Sequence, residues 1–456
     1  MKLKIVSNHP INVTILVVLI QLLLPGLAKA ALAIGAVALP EPTIIERTPH
    51  SRTWQTVSQV QIGDKTRLRT NSYQELATGM HYLKDGQLAE AQATINLVNG
   101  YGVADQGLHK AVFSPSITNT PAVDYEDPDR NRFQSRILGL AYLDAQSGKS
   151  VMFCVTKDSL GTIQGGTVLY PDAFSDNVRC DVIYSYNRDS FSQEIAILAQ
   201  LPPPASFQLN EKTTRLQIWT ELFAPPEPKL KQTTVIYQET DPAVRQTMAE
   251  PDLKDDFLSF GQLQIGRGKA FAVDTDAIRQ AGINVAEEIV VSKEWSATPE
   301  GRRFLIESVE MSLLRPLLDT LPLAAVQKQN DPNGRLASLK TALPRAEFLA
   351  SLPPPTRTGF QPTGRSNPGS GILQPSTLPR TTRSLRTALP EGQANGPKKP
   401  YPRREQGVVL DYVALITAAT NFTFRADSTY FCSGNVNLSG ITTCEGGAVV
   451  KLVNIR

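Results

Sequence analysis

Residues 178–186 limit what this chain can fold into more than any other stretch. Val178, Cys180, Val182, Tyr184 and Tyr186 alternate with Arg179, Asp181, Ile183 and Ser185. Successive side chains of a strand point to opposite faces, so this period of two predicts a β-strand with one apolar face. The neighbouring sequence repeats the theme: 137–143, 151–157, 167–170, 191–201 and 214–223 read as further strands. Between them lie turn formers such as Ala145-Gln146-Ser147-Gly148 and Asn187-Arg188-Asp189. Strands about ten residues apart, with turns between, predict an antiparallel sandwich rather than alternating strands and helices. The expected fold class is mainly β: an antiparallel β-sandwich region, a disordered Pro/Arg-rich linker and a short C-terminal β-helix-like segment.

The start of the chain points to export. Lys2 and Lys4 precede an apolar run from Ile11 to Leu24, then Pro25, Gly26 and the small-residue pattern Ala28-Lys29-Ala30. A basic start, an apolar stretch and an A-x-A site make a secretory signal peptide over residues 1–30. The competing reading is a retained anchor, but Asn12, Thr14 and Gln21 dilute a run already short for a bilayer. The expected product is exported to the periplasm, cell surface or medium, with no membrane span after cleavage. A formal net charge of +3 over 456 residues argues against a dedicated nucleic-acid binder.

Export makes the cysteines informative. Cys154 and Cys180 form one close pair in sequence, and Cys432 and Cys444 another. An oxidising compartment permits a disulfide within each pair. The alternative is four thiols packed as small hydrophobes.

The rest of the chain divides by composition. Residues 31–51 are expected as a flexible leader and 52–232 as the sandwich domain. Within the latter, Asp85-Gly86 between apolar runs predicts a tight hairpin, in preference to a short helix over 88–97. Residues 233–325 make a second β unit or an extension of the first, with Pro299-Glu300-Gly301 as a hairpin turn and a short helix at 276–281. Residues 326–406 are rich in Pro, Ser, Thr, Gly and Arg. They bury too little apolar surface to offset ordering entropy, so a linker is expected. Residues 407–456 carry very short apolar runs separated by Ser-Gly and Gly-Gly, the pattern of β-helix coils, which normally need about three stacked repeats. This reads as a β-helix-like start, incomplete in itself.

A resemblance follows from scattered motifs. They are Glu75-Leu76-Ala77-Thr78-Gly79-Met80-His81-Tyr82, His109-Lys110-Ala111-Val112-Phe113, Leu138-Gly139-Leu140-Ala141-Tyr142, and Tyr170-Pro171-Asp172-Ala173-Phe174. They resemble the N-terminal β region of large exported bacterial modular proteins that continue into repetitive or β-helical regions, and Glu445-Gly446-Gly447-Ala448 in the tail is similar to the region that opens their β-helix. The resemblance implies a secreted modular surface protein and carries no catalytic assignments.

Candidate chemistry is sparse. Asp124, Glu126, Asp127 and Asp129 place hard oxygen ligands within a few residues, as calcium requires. The run lacks an EF-hand's turn glycine, and Ser135 stands where its distal glutamate would be. Ordinary turn formation is the plainer reading. Asp252, Asp255 and Asp256 offer less. No cofactor motif is present: Gly266-Arg267-Gly268-Lys269 lacks phosphate-loop spacing and reads as a strand connection. Trp54, Trp219 and Trp295 suit either sugar stacking or a core. A nucleophilic triad would have to use His50, His81 or His109, and no G-x-S-x-G accompanies them. The expected function is non-catalytic: a structural or adhesion-type protein whose partners are surface polysaccharide or other envelope components. A polysaccharide-binding or polysaccharide-degrading protein, with an active region expected mostly beyond residue 456, is the alternative.

Overall fold

The computed structural model describes residues 41–273, 289–323, 341–354 and 407–453. The expected signal peptide, the helix at 276–281 and most of the linker lie outside these residues. No helix among the described residues is long and apolar enough to cross a membrane.

The first strands are β1 (Thr43–Thr48), β2 (Ser51–Ile62) and β3 (Lys65–Leu76), so the end of the expected leader is strand. β4 (His81–Lys84) and β5 (Gln87–Glu90) form the predicted hairpin, with Asp85 and Gly86 both at positive φ as a tight turn requires. β6 (Asn96–Val98), β7 (Tyr101–Ala104), β8 (Lys110–Phe113) and β9 (Val123–Glu126) make a meander into the long β10 (Arg132–Asp144). Next come β11 (Lys149–Val155), β12 (Thr162–Gln164), β13 (Thr167–Tyr170), β14 (Cys180–Tyr186), β15 (Ser190–Ile197) and β16 (Thr214–Phe223). β17 (Leu230–Tyr237), β18 (Asp252–Ser259), β19 (Leu263–Ile265), β20 (Gly268–Ala272), β21 (Ile289–Ala297) and β22 (Arg303–Glu310) follow.

Most of these strands build one large, nearly closed antiparallel sheet. In one layer β16 lies between β10 and β22, and β10 pairs at its other edge with β9 and β11. In the other layer, β12, β13, β14 and β15 pair in sequence, and β17, β18 and β19 likewise. β24 (Val408–Ile416) pairs with β15 on one side and with β19 and β20 on the other. β21 joins the layers: residues 289–291 pair with β20, and residues 292–297 pair with β22. The strands of 233–325 therefore complete the first sheet rather than forming a separate body. β24 was expected to open a separate C-terminal segment, and it is instead an inner strand of this sheet.

The alternation seen in the sequence sets the core. Cys180, Val182, Tyr184 and Tyr186 of β14 are buried against Phe113, Tyr142, Leu216, Ile218, Val291 and Leu410. Burying a side chain of this size contributes about 1.5–3 kcal/mol. Outside the β10–β16–β22 face lies a second cluster that the linker assignment did not anticipate. Within 326–406, residues 341–354 are ordered: β23 (Leu343–Pro344) pairs with β11, and a helix at Arg345–Ser351 buries Phe348 against Trp219 and Phe304. Arg136 and Arg302 both pair with Glu221 and donate to the carbonyls of Pro354 and Pro353, which ties this segment down. A short apolar motif inside a polar, Pro-rich stretch escapes a composition average.

After β24 the chain makes small parallel pairs. β25 (Ala419–Thr420) pairs with β28 (Leu438–Ser439), β26 (Thr423–Phe424) with β29 (Thr443–Cys444), and β27 (Thr429–Cys432) with β30 (Val449–Leu452). The lower turn packs Phe424, Tyr430 and Cys432 against Leu76, and β27 pairs in parallel with Gln74, Glu75 and Leu76 of β3. Asn437 fixes this junction, donating to the carbonyls of Asp189 and Ile416 and, through its backbone, to the Thr78 hydroxyl.

The described chain forms two compact units. The larger holds residues 44–54 and 72–453, so far as they are described. The smaller holds residues 41–43 and 55–71, mostly exposed strand turning at Gly63, where Ser58 donates to the Arg69 carbonyl.

Candidate functional site

The four acidic residues of the calcium candidate sit in and around the turn between β9 and β10, each engaged separately. Asp124 takes a two-pronged pair from Arg132 and a hydrogen bond from Gln134. Glu126 pairs with Arg130 and Lys110. Asp127 is fully buried and closes the turn by accepting from the backbone and side-chain nitrogens of Asn131, both at 2.8 Å. Asp129 accepts from the backbone and side chain of Gln262. The structure thus gives these carboxylates hairpin and loop partners, and no group of three His, Cys, Asp or Glu among the described residues is placed to hold a metal.

The cysteine pairs also differ from the disulfide reading. No disulfide joins them: Cys154, Cys180 and Cys432 are buried thiols and Cys444 is exposed. Burial pushes the Cys180 thiol well up, with neighbouring Cys154 adding to the shift. Cys432 and Cys444 lie on strands from different parallel pairs, which separates them by construction.

Of the tryptophans, Trp219 and Trp295 are core residues, and half-buried Trp54 donates to Glu75 at 2.6 Å. His109 is fully buried, stacks on Tyr186 at 4.4 Å and shares a 2.7 Å hydrogen bond with the Asn187 carbonyl. Burial lowers its pKa to about 4, so it is neutral. His50 accepts from the Gly79 backbone through Nδ1.

Two polar groupings were not singled out from sequence. The first lies inside the sheet. Lys293 of β21 shares a face with Val291 and Trp295, and Glu307 of β22 shares one with Leu305 and Val309; both are core phases. The signal was available as a charged residue in the apolar phase of each strand. The Glu307 carboxylate accepts from Gln193 at 3.3 Å, and Gln193 also reaches Thr220. Burial pushes Lys293 down and Glu307 up, each opposed by the other's charge.

The second grouping lines an open pocket of about 220 Å³ where β2, β3, the β4–β5 hairpin, the turn after β14 and the turn after β27 meet. Glu75 receives both arms of Arg52, and Arg52 also reaches Glu90. Burial pushes the Glu75 carboxyl up, but hydrogen bonds from Arg52, Ser433 and Trp54 hold it below the ordinary carboxylate range. His81 is wholly buried beside them. Its Nδ1 lies 2.7 Å from the Thr48 carbonyl, which can only accept, so Nδ1 carries the proton. Burial lowers the pKa of the imidazole, which outweighs that hydrogen bond and leaves Nε2 as a bare acceptor. Nε2 has no hydrogen-bond partner among the described residues. Arg188 completes the wall. The loop at Gly79 (φ +70°) runs so close that a Cβ there would overlap the Arg188 carbonyl, which explains glycine at that position.

No discrete motif encodes this pocket, because its residues come from five separated stretches of chain. Comparisons with protein-family models, with curated proteins and with solved structures gave no match to this chain.

Proposed function

We propose that this chain is an exported, non-catalytic structural or adhesion-type module of the bacterial envelope or surface, in which a rigid antiparallel β body seats the first turns of a parallel β-helix. One observation carries this reading. The three parallel pairs of the tail join residues nineteen or twenty apart, from Ala419 to Leu438, Thr423 to Thr443 and Thr429 to Val449. A constant offset with parallel pairing is the geometry of stacked coils, in which each coil covers the apolar face of the one beneath. The pairing of β27 with β3 gives the lower coil a base, as the end of a solenoid requires. The basic and apolar residues of 1–30 support export.

Backbone NOEs between Thr429–Cys432 and Val449–Leu452 in parallel register test the coil; their absence removes its support. N-terminal sequencing of the protein recovered from a bacterial host tests export, with cleavage after Ala30 expected.

The second reading is a polysaccharide-binding or polysaccharide-degrading protein, and the polar pocket beside His81 is the observation that favours it. A glycan array and a reducing-sugar assay on the mature chain separate the two. Turnover abolished by one carboxylate substitution sinks the non-catalytic reading.

A further inference from the structure

We propose that the pocket bounded by Arg52, Glu75, His81, Glu90, Arg188 and Ser433 binds a hydroxylated monocarboxylate, the chemistry of a uronic acid residue. The assignment gives a ligand class to the polysaccharide-binding reading and does not depend on the β-helix.

Three features of the wall select this chemistry. The first is His81 Nε2. A buried acceptor without a donor costs free energy that a hydroxyl or N–H recovers on binding. Because Nδ1–H is held by Thr48, the imidazole cannot turn its other nitrogen to the pocket without losing that bond. The ligand must therefore bring a donor.

The second is Arg188. It lies on the same wall, half-buried, and makes no ion pair among the described residues, whereas Arg52 is already shared by Glu75 and Glu90. Its guanidinium stands beside Gly434, with the nearer nitrogen 3.9 Å from where a Cβ at Gly434 would be. An unmatched guanidinium in a polar pocket favours a carboxylate, which it can bind through two parallel hydrogen bonds.

The third is the pair of carboxylates. Glu75 and Glu90 oppose a dianion such as phosphate by like-charge repulsion. The Glu75 oxygens are already taken by Arg52, Trp54 and Ser433, and the exposed Glu90 carboxylate is the one that accepts hydrogen bonds from hydroxyls. One cation for one anionic group, with acceptors around it, matches a single carboxylate on a ring of hydroxyls. Ser433, whose hydroxyl donates to Glu75, closes the wall from the side of the tail.

Calorimetric titration of the full chain with D-glucuronate tests this, with D-glucose and acetate as partial probes. One-to-one binding of glucuronate, weaker binding of each partial probe and a displaced His81 Nε2 nitrogen resonance are expected. Arg188→Gln should weaken glucuronate binding roughly ten- to hundredfold, the worth of a hydrogen-bonded charge. It should leave glucose binding unchanged. His81→Asn retains a donor for Thr48 and deletes Nε2, and should weaken glucuronate and glucose alike. The thermal midpoint of each variant reports whether it is folded, and the nitrogen resonance of the unmodified chain needs no variant. Absence of glucuronate binding overturns the proposal. So does acetate binding as tightly as glucuronate with Nε2 unmoved, the behaviour of a bare anion site. Uronate-containing glycans that bind the array with Arg188→Gln as well as with the unmodified chain would overturn this pocket and leave the polysaccharide-binding reading standing.

Discussion

Lys293 and Glu307 are register partners across β21 and β22, both buried inside the sheet, with Lys293 Nζ and Glu307 Oε1 each lacking a hydrogen-bond partner among the described residues. A buried pair of this kind loses much of its Coulombic gain to desolvation, while removal of one member leaves a charge stranded. Glu307→Ala alone is expected to destabilise the protein by about 3–5 kcal/mol. Lys293→Met with Glu307→Leu should be neutral or stabilising by about 1–4 kcal/mol. Urea denaturation of both variants checks this; a double variant worse than the single one would show that the pair is a net stabiliser.

The same two residues shape the pH dependence. The pKa of Glu307 is raised on folding, so its stabilising contribution is complete below the ordinary carboxylate range and is lost as pH rises through the higher folded value. The pKa of Lys293 is lowered on folding, so its contribution is complete above the ordinary lysine range and is lost as pH falls through the lower folded value. Together they place a stability minimum at mildly alkaline pH. Glu307→Gln should flatten the fall between acidic and neutral pH, as read from denaturation midpoints across pH.

Thiol chemistry should separate one cysteine from three. Cys444 is exposed and should react with a maleimide in the native protein, whereas Cys154, Cys180 and Cys432 should react only on unfolding. Four thiols are expected in denaturant without reductant, and reductant should not shift the melting temperature. A count of two or none would restore the disulfides.

Gly139 lies between two register shifts of β10, one against β16 at Ile137/Gly139 and one against β11 at Leu140/Ala141. A Cβ there would overlap the Cys154 carbonyl oxygen and stand 3.0 Å from the Val155 Cα, and backbone atoms in a paired strand have little room to move. Gly139→Ala should cost about 1–3 kcal/mol by overpacking. Gly63→Ala is the control: nothing lies within 4 Å, so only the left-handed backbone (φ +62°) is penalised, by about 1 kcal/mol. Equal losses at the two sites would argue against the close approach.

Asp255 and Asp256 of β18 serve the strand that joins the layers. They accept from the backbone amides of Lys293 and Trp295 at 3.1 and 2.8 Å, supplying acceptors for β21 donors that face β18. Asp256 also holds Lys231 and the Thr233 hydroxyl. Asp256→Ala should destabilise by about 1–3 kcal/mol and speed amide exchange at Trp295. Unchanged exchange there would rule out the capping role.

Local sequence determined the strands and turns of this protein, because side-chain alternation and turn chemistry are written within a few residues. The strand at Cys180–Tyr186, the Asp85-Gly86 and Pro299-Glu300-Gly301 turns and the short tail strands follow from neighbouring residues alone. Tertiary structure decided what those pieces do together. It placed 408–416 inside the main sheet, brought Phe348 from a Pro-rich stretch onto Trp219, and set Lys293 against Glu307. It also assembled Arg52, His81, Arg188 and Ser433 into one pocket. Each depends on pairing between distant segments, where a strand's neighbour is selected by burial and register over the whole sheet rather than by anything encoded beside it.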